Sequence, residues 1–186
     1  MNLKSVSQQV VQTVSDSASG LSKFAKLERN LAAVCMFVPL ILIIFDSGAV
    51  RDSISAYYDM AEAQYFYVPL TMGAMLFIIN GVVKHQHSYN TILGVALMGV
   101  VLFDHDGQYS KIIHFLSAGV FFLGSAFVIL KYSSKKELWF KCVLVAIIVG
   151  ALGAWVLGFI SLFWAEWVSL IIIALHYILE SMGRID

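Results

Sequence analysis

The sequence predicts an all-α protein, a polytopic transmembrane bundle of six spans preceded by an N-terminal amphipathic surface helix. Hydrophobic residues make up 60% of the 186 residues and charged residues only 13%, and the mean hydropathy is +0.82. These values lie far outside the range of soluble globular domains. A chain of this composition needs lipid as its solvent. We therefore expect a multi-pass protein of the cell (inner or plasma) membrane.

The charge balance bears on the partners of the protein. Twelve Lys and Arg residues are balanced by twelve Asp and Glu residues, so the formal net charge is zero. This balance removes the case for nucleic acid as a partner, because phosphate backbones are bound by an excess of basic groups. Membrane lipid is the partner that the composition implies.

Residues 1–30 form the first predicted unit, a cytoplasmic or interfacial segment ahead of the transmembrane domain, 31–186. Leu3, Val6, Val10 and Val14 recur at helical spacing within it, and basic residues precede the first apolar run. This pattern is typical of an amphipathic helix lying on the membrane surface. A frayed tail with accidental periodicity is the alternative for so short a pattern.

Six apolar runs follow in quick succession. They cover residues 31–45, 65–83, 91–103, 112–130, 138–160 and 161–179. A helix needs roughly 20 residues to cross about 30 Å of hydrocarbon, so the first and third runs have to borrow flanking residues such as 27–30 and 88–90. Helices are the expected spanning elements, since the alternating pattern of a barrel strand is absent.

The basic residues predict the orientation of the bundle, because cytoplasmic loops carry an excess of Lys and Arg. With six spans both termini lie on one side of the membrane. The opposite side receives only Arg51 and Lys111. The side of the termini receives ten basic residues: Lys4, Lys23, Lys26, Arg29, Lys84, Lys131, Lys135, Lys136, Lys141 and Arg184. We therefore predict that both termini are cytoplasmic.

Polar residues mark a candidate site on the outer side. The loop after the first run places Ser53 and Ser55 near a single arginine. A later polar island, Asp104-His105-Asp106, precedes His114, which lies one turn into the fourth helix. These groups lie on the same side of the predicted membrane, so we expect them to form one cluster.

The last helix carries a polar stripe on an otherwise apolar surface. Glu166, Ser169, His176 and Glu180 share one face, which must point into the bundle or a water-filled cavity rather than into lipid. A buried carboxylate has to be neutral or paired with positive charge. His114 lies at a similar depth to Glu166 and is its expected partner.

Depth separates a second group of polar residues from the first. His176 and Glu180 lie about three turns deeper in the last helix than Glu166, near the predicted cytoplasmic end, where their expected neighbours are His85 and His87. One metal site that uses all the histidines is therefore not expected.

Small residues recur every fourth position in the fifth run, at Ala146, Gly150, Ala154 and Gly158. Such a face lets a neighbouring backbone approach closely, and van der Waals contact drives helix association in lipid. We interpret the face as a packing surface, and it is where a homo-oligomer would form.

The Ser53-Ile54-Ser55 segment, the acids and histidine at the next helix junctions and the histidine of the last helix resemble the membrane hydrolases that include alkaline ceramidases and adiponectin-type receptors. This resemblance implies a zinc site of three histidines, with an aspartate and a serine nearby, and cleavage of a lipid amide. The chain departs from that superfamily in having six spans instead of seven and in lacking the His-x-x-x-His pair of the final helix. The Ser53-x-Ser55-x-Tyr57-Tyr58 loop is similar to that of small uncharacterised bacterial polytopic membrane proteins, a likeness that implies no activity.

Two functions remain open from the sequence, and so does the question whether the chain is an enzyme. In the first, an inward-facing polar site near the outer face binds, senses or transports a small ligand or lipid headgroup. In the second, a metal-dependent hydrolase cleaves a lipid amide or ester. Its catalytic residues would be Ser53, Asp104, Asp106, His114 and Glu166, and its metal, zinc, would be held by Asp104, His105, His114 and Glu166. We favour the first, because a complete zinc-ligand motif and a nucleophile elbow are lacking.

Overall fold

The computed structural model describes residues 25–83, 88–103 and 107–185, and these residues form α-helices joined by short connections. The helices, in chain order, are α1 (Ala25–Phe45), α2 (Gln64–Val83), α3 (Tyr89–Leu102), α4 (Gln108–Lys131), α5 (Leu138–Val156) and α6 (Leu162–Ser181), with one 3-10 turn (Ser55–Asp59) between α1 and α2. The described residues contain no strand. The prediction of an all-α bundle is confirmed for this part of the chain. The amphipathic helix predicted within residues 1–30 falls mostly outside it.

Five of these helices are long and apolar enough to cross a membrane. Helices α1, α2, α4, α5 and α6 have 19 to 24 residues and a mean hydropathy of 1.8 to 2.1. At 1.5 Å per residue even the shortest of them is about 28 Å long, close to the thickness of the hydrocarbon layer. Helix α3 has 14 residues and is only about 21 Å long. The six-span count and the cytoplasmic termini stay predictions.

Successive helices run antiparallel. The ring of Phe45 at the end of α1 stacks on Tyr65 at the start of α2, with centroids 3.6 Å apart. Helices α2 and α3 approach closely at Gly94, where an added Cβ would lie 2.6 Å from the carbonyl oxygen of Ala74. The bundle therefore has a loop end, where α1 leads into α2, and a terminal end, where α1 and α3 begin and α2, α4 and α6 end.

Helix α5 is the least embedded of the five long helices. Only 17% of an 18-residue stretch of α5 is buried, against 39% or more of the corresponding stretches in the others. It ends at Val156 and not at 160 as the apolar run predicts, because Gly158 adopts a left-handed φ of 78° in the turn that follows. The helix is thus peripheral and contacts the bundle along one face, through Lys141, Leu144 and Ile148.

The small-residue face of α5 lies on the other side of the helix. Ala146, Gly150 and Gly158 are exposed, and an added Cβ on Gly150 would meet no atom of the described residues within 4 Å. The expectation that this face packs against a neighbouring helix is therefore wrong for the part of the chain that the structure describes. The sequence pattern identified a close-approach surface but could not show that the bundle uses the opposite face. Its use in a homo-oligomer stays a prediction.

Candidate functional site

The loop between α1 and α2 is folded around Arg51. The Arg51 guanidinium pairs with Asp46 through two hydrogen bonds, Nε to Oδ2 at 2.6 Å and Nη2 to Oδ1 at 3.2 Å. Its Nη1 also donates to the carbonyl oxygen of Ala56 at 3.0 Å. Such a fork is the preferred way for arginine to bind a carboxylate, and it lowers the pKa of Asp46 below its ordinary value. One side chain thus joins the beginning of the loop to its 3-10 turn.

Tyr57 anchors the same loop from within. Its side chain is fully buried, and its hydroxyl group donates to the carbonyl oxygen of Ala49 at 2.6 Å and accepts from the backbone N–H of Arg51 at 3.3 Å. Burial raises the pKa of Tyr57, which keeps the hydroxyl proton available for donation. The ring packs against Phe163 of α6, with centroids 6.1 Å apart.

Two long-range hydrogen bonds fasten this loop to α6. The backbone N–H of Phe163 donates to the carbonyl oxygen of Asp52 at 2.8 Å. The first N–H groups of a helix have no partner within the helix, so the loop satisfies one of them. The backbone N–H of Ile54 donates to Oε2 of Glu166 at 2.6 Å. The loop therefore covers the start of α6 and reaches its first inward-facing acid.

Ser53 and Ser55 are both buried, and the Ser53 hydroxyl shapes the turn. Its Oγ accepts a hydrogen bond from the backbone N–H of Ala56 at 3.0 Å and lies 3.0 Å from Oγ of Ser55. Serine often satisfies the free N–H groups at the start of a helical turn in this way. Ser53, one of the predicted catalytic residues, thus has a structural role in the loop.

A cavity of about 40 Å³ lies beneath the loop, in the middle of the bundle. It is lined by Val34, Cys35 and Val38 of α1, Ile54 and Ser55 of the loop, Leu70 and Gly73 of α2, Leu97 and Val100 of α3, Ala118, Phe121 and Phe122 of α4, and Glu166 and Leu170 of α6. A cavity needs roughly 10 to 15 Å³ of volume open to the centre of a water molecule to admit one water. The space therefore suits a few small atoms, with one carboxyl group in a largely apolar wall.

Glu166 has one carboxyl oxygen engaged. Its Oε2 accepts the hydrogen bond from Ile54, and among the described residues Oε1 has no hydrogen-bond partner. The residue is only 6% exposed, and it lines the cavity. Oε1 is thus the carboxyl oxygen that a small molecule in the cavity could use.

His114 is buried as well, but its hydrogen bond goes to a different element. Its ring nitrogen Nδ1 lies 2.7 Å from the carbonyl oxygen of Phe103, which follows the end of α3. Glu166 takes its hydrogen bond from the loop backbone and not from His114. The fold therefore bonds Glu166 to the loop after α1 and His114 to the residue that follows α3.

The predicted metal ligands are only partly within the described residues. Asp104, His105 and Asp106 lie outside them, so nothing is added to the prediction that they act with His114 and Glu166. Across 25–83, 88–103 and 107–185, no three His, Cys, Asp or Glu side chains come together as a metal site. Zinc stays a prediction from the sequence.

The polar stripe of α6 is buried along its whole length, as its periodicity predicts. Glu166, Ser169, His176 and Glu180 are all buried. Two further polar residues, Asn80 and Asn90, are fully buried towards the terminal end and were not predicted as part of a site. The feature of the sequence that could have identified them is an amide side chain within or next to an apolar run. His85 and His87 of the predicted second group lie outside the described residues.

Comparison with known proteins identifies a family but no activity. Residues 37–181 match the model of a family of unknown function, DUF7103. No curated protein and no solved structure matches the chain. The family description names no reaction, so it supports neither the hydrolase resemblance nor a particular ligand.

Proposed function

Because the chain belongs to DUF7103, a family of unknown function, we propose its function from its own geometry: an integral membrane protein that binds a small ligand in the cavity beneath the first loop. The observation that carries this proposal is the carboxyl group of Glu166. It lines the cavity and has one oxygen bonded to Ile54 and the other without a partner among the described residues.

The chemistry of the cavity selects the ligand class. Aliphatic and aromatic side chains make up most of its wall, so contact with an apolar body is favourable. The carboxyl oxygen can accept a hydrogen bond, and when ionised it attracts a positive charge. The ligand is therefore a small molecule with a short apolar part and a head that donates hydrogen bonds, such as an alkylammonium ion or an alcohol. The head of a lipid with the same chemistry is a larger candidate.

The loop supports binding rather than open conduction. Glu166 and Ser55 lie at the loop side of the cavity, and the hydrogen bonds from Ile54 and Phe163 hold the loop in place. The bonds of Arg51 and Tyr57 lie within the loop and its adjoining helix end. The loop can therefore keep its shape when its bonds to α6 open to admit a ligand.

A ligand panel tests this proposal. Thermal unfolding of the full chain in detergent would be measured with methyl-, ethyl- and propylammonium, with the matching alcohols and with acetate and propionate. A ligand that binds only the folded state raises the midpoint. We expect the ammonium ions and alcohols to raise it and the carboxylates not to, because like charges repel.

Two variants make the panel specific. Glu166→Gln should remove the preference for ammonium over alcohol, since the side chain no longer carries charge. Glu62→Gln, a change at an exposed acid, should leave that preference unchanged. Equal responses of the wild type and Glu166→Gln to every ammonium ion would contradict binding at Glu166.

A further inference from the structure

A second set of buried polar side chains lies at the terminal end of the bundle, away from the cavity. It consists of Glu28 on α1, Asn80 on α2, Asn90 on α3 and His176, Tyr177 and Glu180 on α6, and we refer to these six residues as the terminal-end cluster. All are buried, and Asn80 and Asn90 are fully so. Polar groups at this depth are costly in a membrane protein, and they commonly mark ion or proton pathways.

The two asparagines leave one donor and one acceptor without partners. Asn90 Nδ2 donates to Asn80 Oδ1 at 2.6 Å, while Asn80 Nδ2 and Asn90 Oδ1 have no hydrogen-bond partner in the described part of the chain. If oxygen and nitrogen are exchanged in both amides, one donor and one acceptor are again left without a partner in the pair. A water molecule can accept from one and donate to the other, so the pair favours bound water.

His176 and Glu180 approach each other one turn apart on α6. Their nearest atoms, Nε2 and Oε2, are 3.7 Å apart. This distance exceeds the 2.7–3.2 Å of an ordinary N–H···O hydrogen bond. A water molecule beside the pair could bond to both groups.

Tyr177 connects the amides to the acids. Its hydroxyl group interacts with the side chain of Asn90, and the carboxyl groups of Glu28 and Glu180 lie near enough to act on it. The titratable groups of the described residues that face this point are Glu28 and Cys35 from α1 and His176, Tyr177 and Glu180 from α6. Helices α2 and α3 contribute only neutral amides.

A row of three aromatic rings leads from the cluster to the cavity. Phe77 meets Tyr177 edge-on at 5.8 Å and Phe121 edge-on at 5.3 Å. Phe121 lines the cavity, whereas Tyr177 belongs to the cluster. Phe77 thus separates Tyr177 of the cluster from Phe121 of the cavity wall.

We propose that the terminal-end cluster is a hydrated proton-binding site, in which His176 and Glu180 hold the proton and water joins them to Asn80 and Asn90. The proton comes from the water on that side of the membrane and is held on the imidazole ring or the neighbouring carboxyl group. Histidine suits this role because it changes charge near neutral pH. Histidine and acid pairs serve as proton relays within membranes.

Histidine NMR tests the proposal on the full chain in lipid nanodiscs. The protein would be labelled with ¹⁵N-histidine, and His176→Gln would assign the resonance. We expect the His176 resonance to titrate between about pH 5 and pH 8. Glu180→Gln should change the midpoint by roughly half a pH unit or more, because it removes the nearest carboxyl group.

His114→Gln is the matched control. It removes another buried imidazole ring, which bonds to the carbonyl oxygen of Phe103, and it should leave the titration of His176 unchanged. A His176 resonance that does not move over this pH range would overturn the proposal, even if Glu180→Gln fails to fold. A midpoint that differs between Na⁺ and choline buffers would also overturn it, because the site would then bind a metal cation instead of the proton.

Discussion

The backbone N–H of Ile54 donates a 2.6 Å hydrogen bond to Oε2 of Glu166, although 112 residues separate the two in sequence. The bond joins the loop after the first helix to the interior face of the last. It also fixes one oxygen of the only carboxyl group that lines the cavity in the described part of the chain. The proposed ligand site and the attachment of the loop therefore depend on the same side chain.

This bond predicts different effects for two substitutions at one position. Glu166→Gln keeps an oxygen that can accept from Ile54, so we expect little change in the free energy of unfolding. Glu166→Ala leaves a buried N–H group unpaired and should cost about 1–3 kcal/mol. Denaturant unfolding in detergent would measure both. Equal losses would show that the bond contributes nothing to stability.

The ion pair of Asp46 and Arg51 predicts an acid-dependent loss of stability. The pKa of Asp46 is lowered from 3.8, chiefly by the hydrogen bond from Arg51. Its contribution is therefore complete above the ordinary pKa and is lost as the pH falls through the lowered value. The melting temperature of the wild type should drop more than that of Asp46→Asn between about pH 5 and pH 3. Parallel curves for the two proteins would argue against a role for this pair.

Two glycines predict opposite responses to the same substitution. Gly94→Ala would place a Cβ 2.6 Å from the Ala74 carbonyl oxygen, and we expect a cost of about 1–3 kcal/mol from overpacking. Gly150→Ala meets open space and should be neutral, or stabilising by up to about 1 kcal/mol through helix propensity. Unfolding in detergent compares them. A large loss at Gly150 would indicate that its face is covered, for example by a second copy of the chain.

The ten-to-two division of basic residues predicts the topology. Reporter fusions at Lys84 and Lys135 should give a cytoplasmic signal, and a fusion at Gly107 should give an external one. Helix α3, with its 14 residues, is the element on which this pattern depends, because it is the shortest proposed span. A cytoplasmic signal at Gly107 would refute the six-span arrangement.

Glu166 illustrates how far the sequence predicts the site. Its position in a polar stripe with helical spacing indicated an inward-facing acid, and the residue is buried. Its hydrogen-bond partner could not be predicted, because every residue except proline offers a backbone N–H and the fold of the loop decides which one arrives. His114, chosen from depth alone, bonds to Phe103 instead.

Helix α5 and the asparagines mark a second limit. A stripe of small residues predicts close approach but does not specify the partner, and in α5 it faces away from the bundle. Asn80 and Asn90 are single polar residues within or beside apolar segments, with no periodic pattern around them. Only the packing of α2 against α3 brings their side chains within 2.6 Å of each other.

The most direct test of the proposed binding site uses Cys35, a buried free cysteine in the wall of the cavity. A small thiol reagent, methyl methanethiosulfonate, would be applied with and without propylammonium, and mass spectrometry would follow Cys35 and the exposed Cys142 separately. We expect propylammonium to slow the modification of Cys35 in the wild type but not in Glu166→Gln, and to leave Cys142 unaffected in both. Modification of Cys35 at the same rate with and without propylammonium in the wild type would contradict the account.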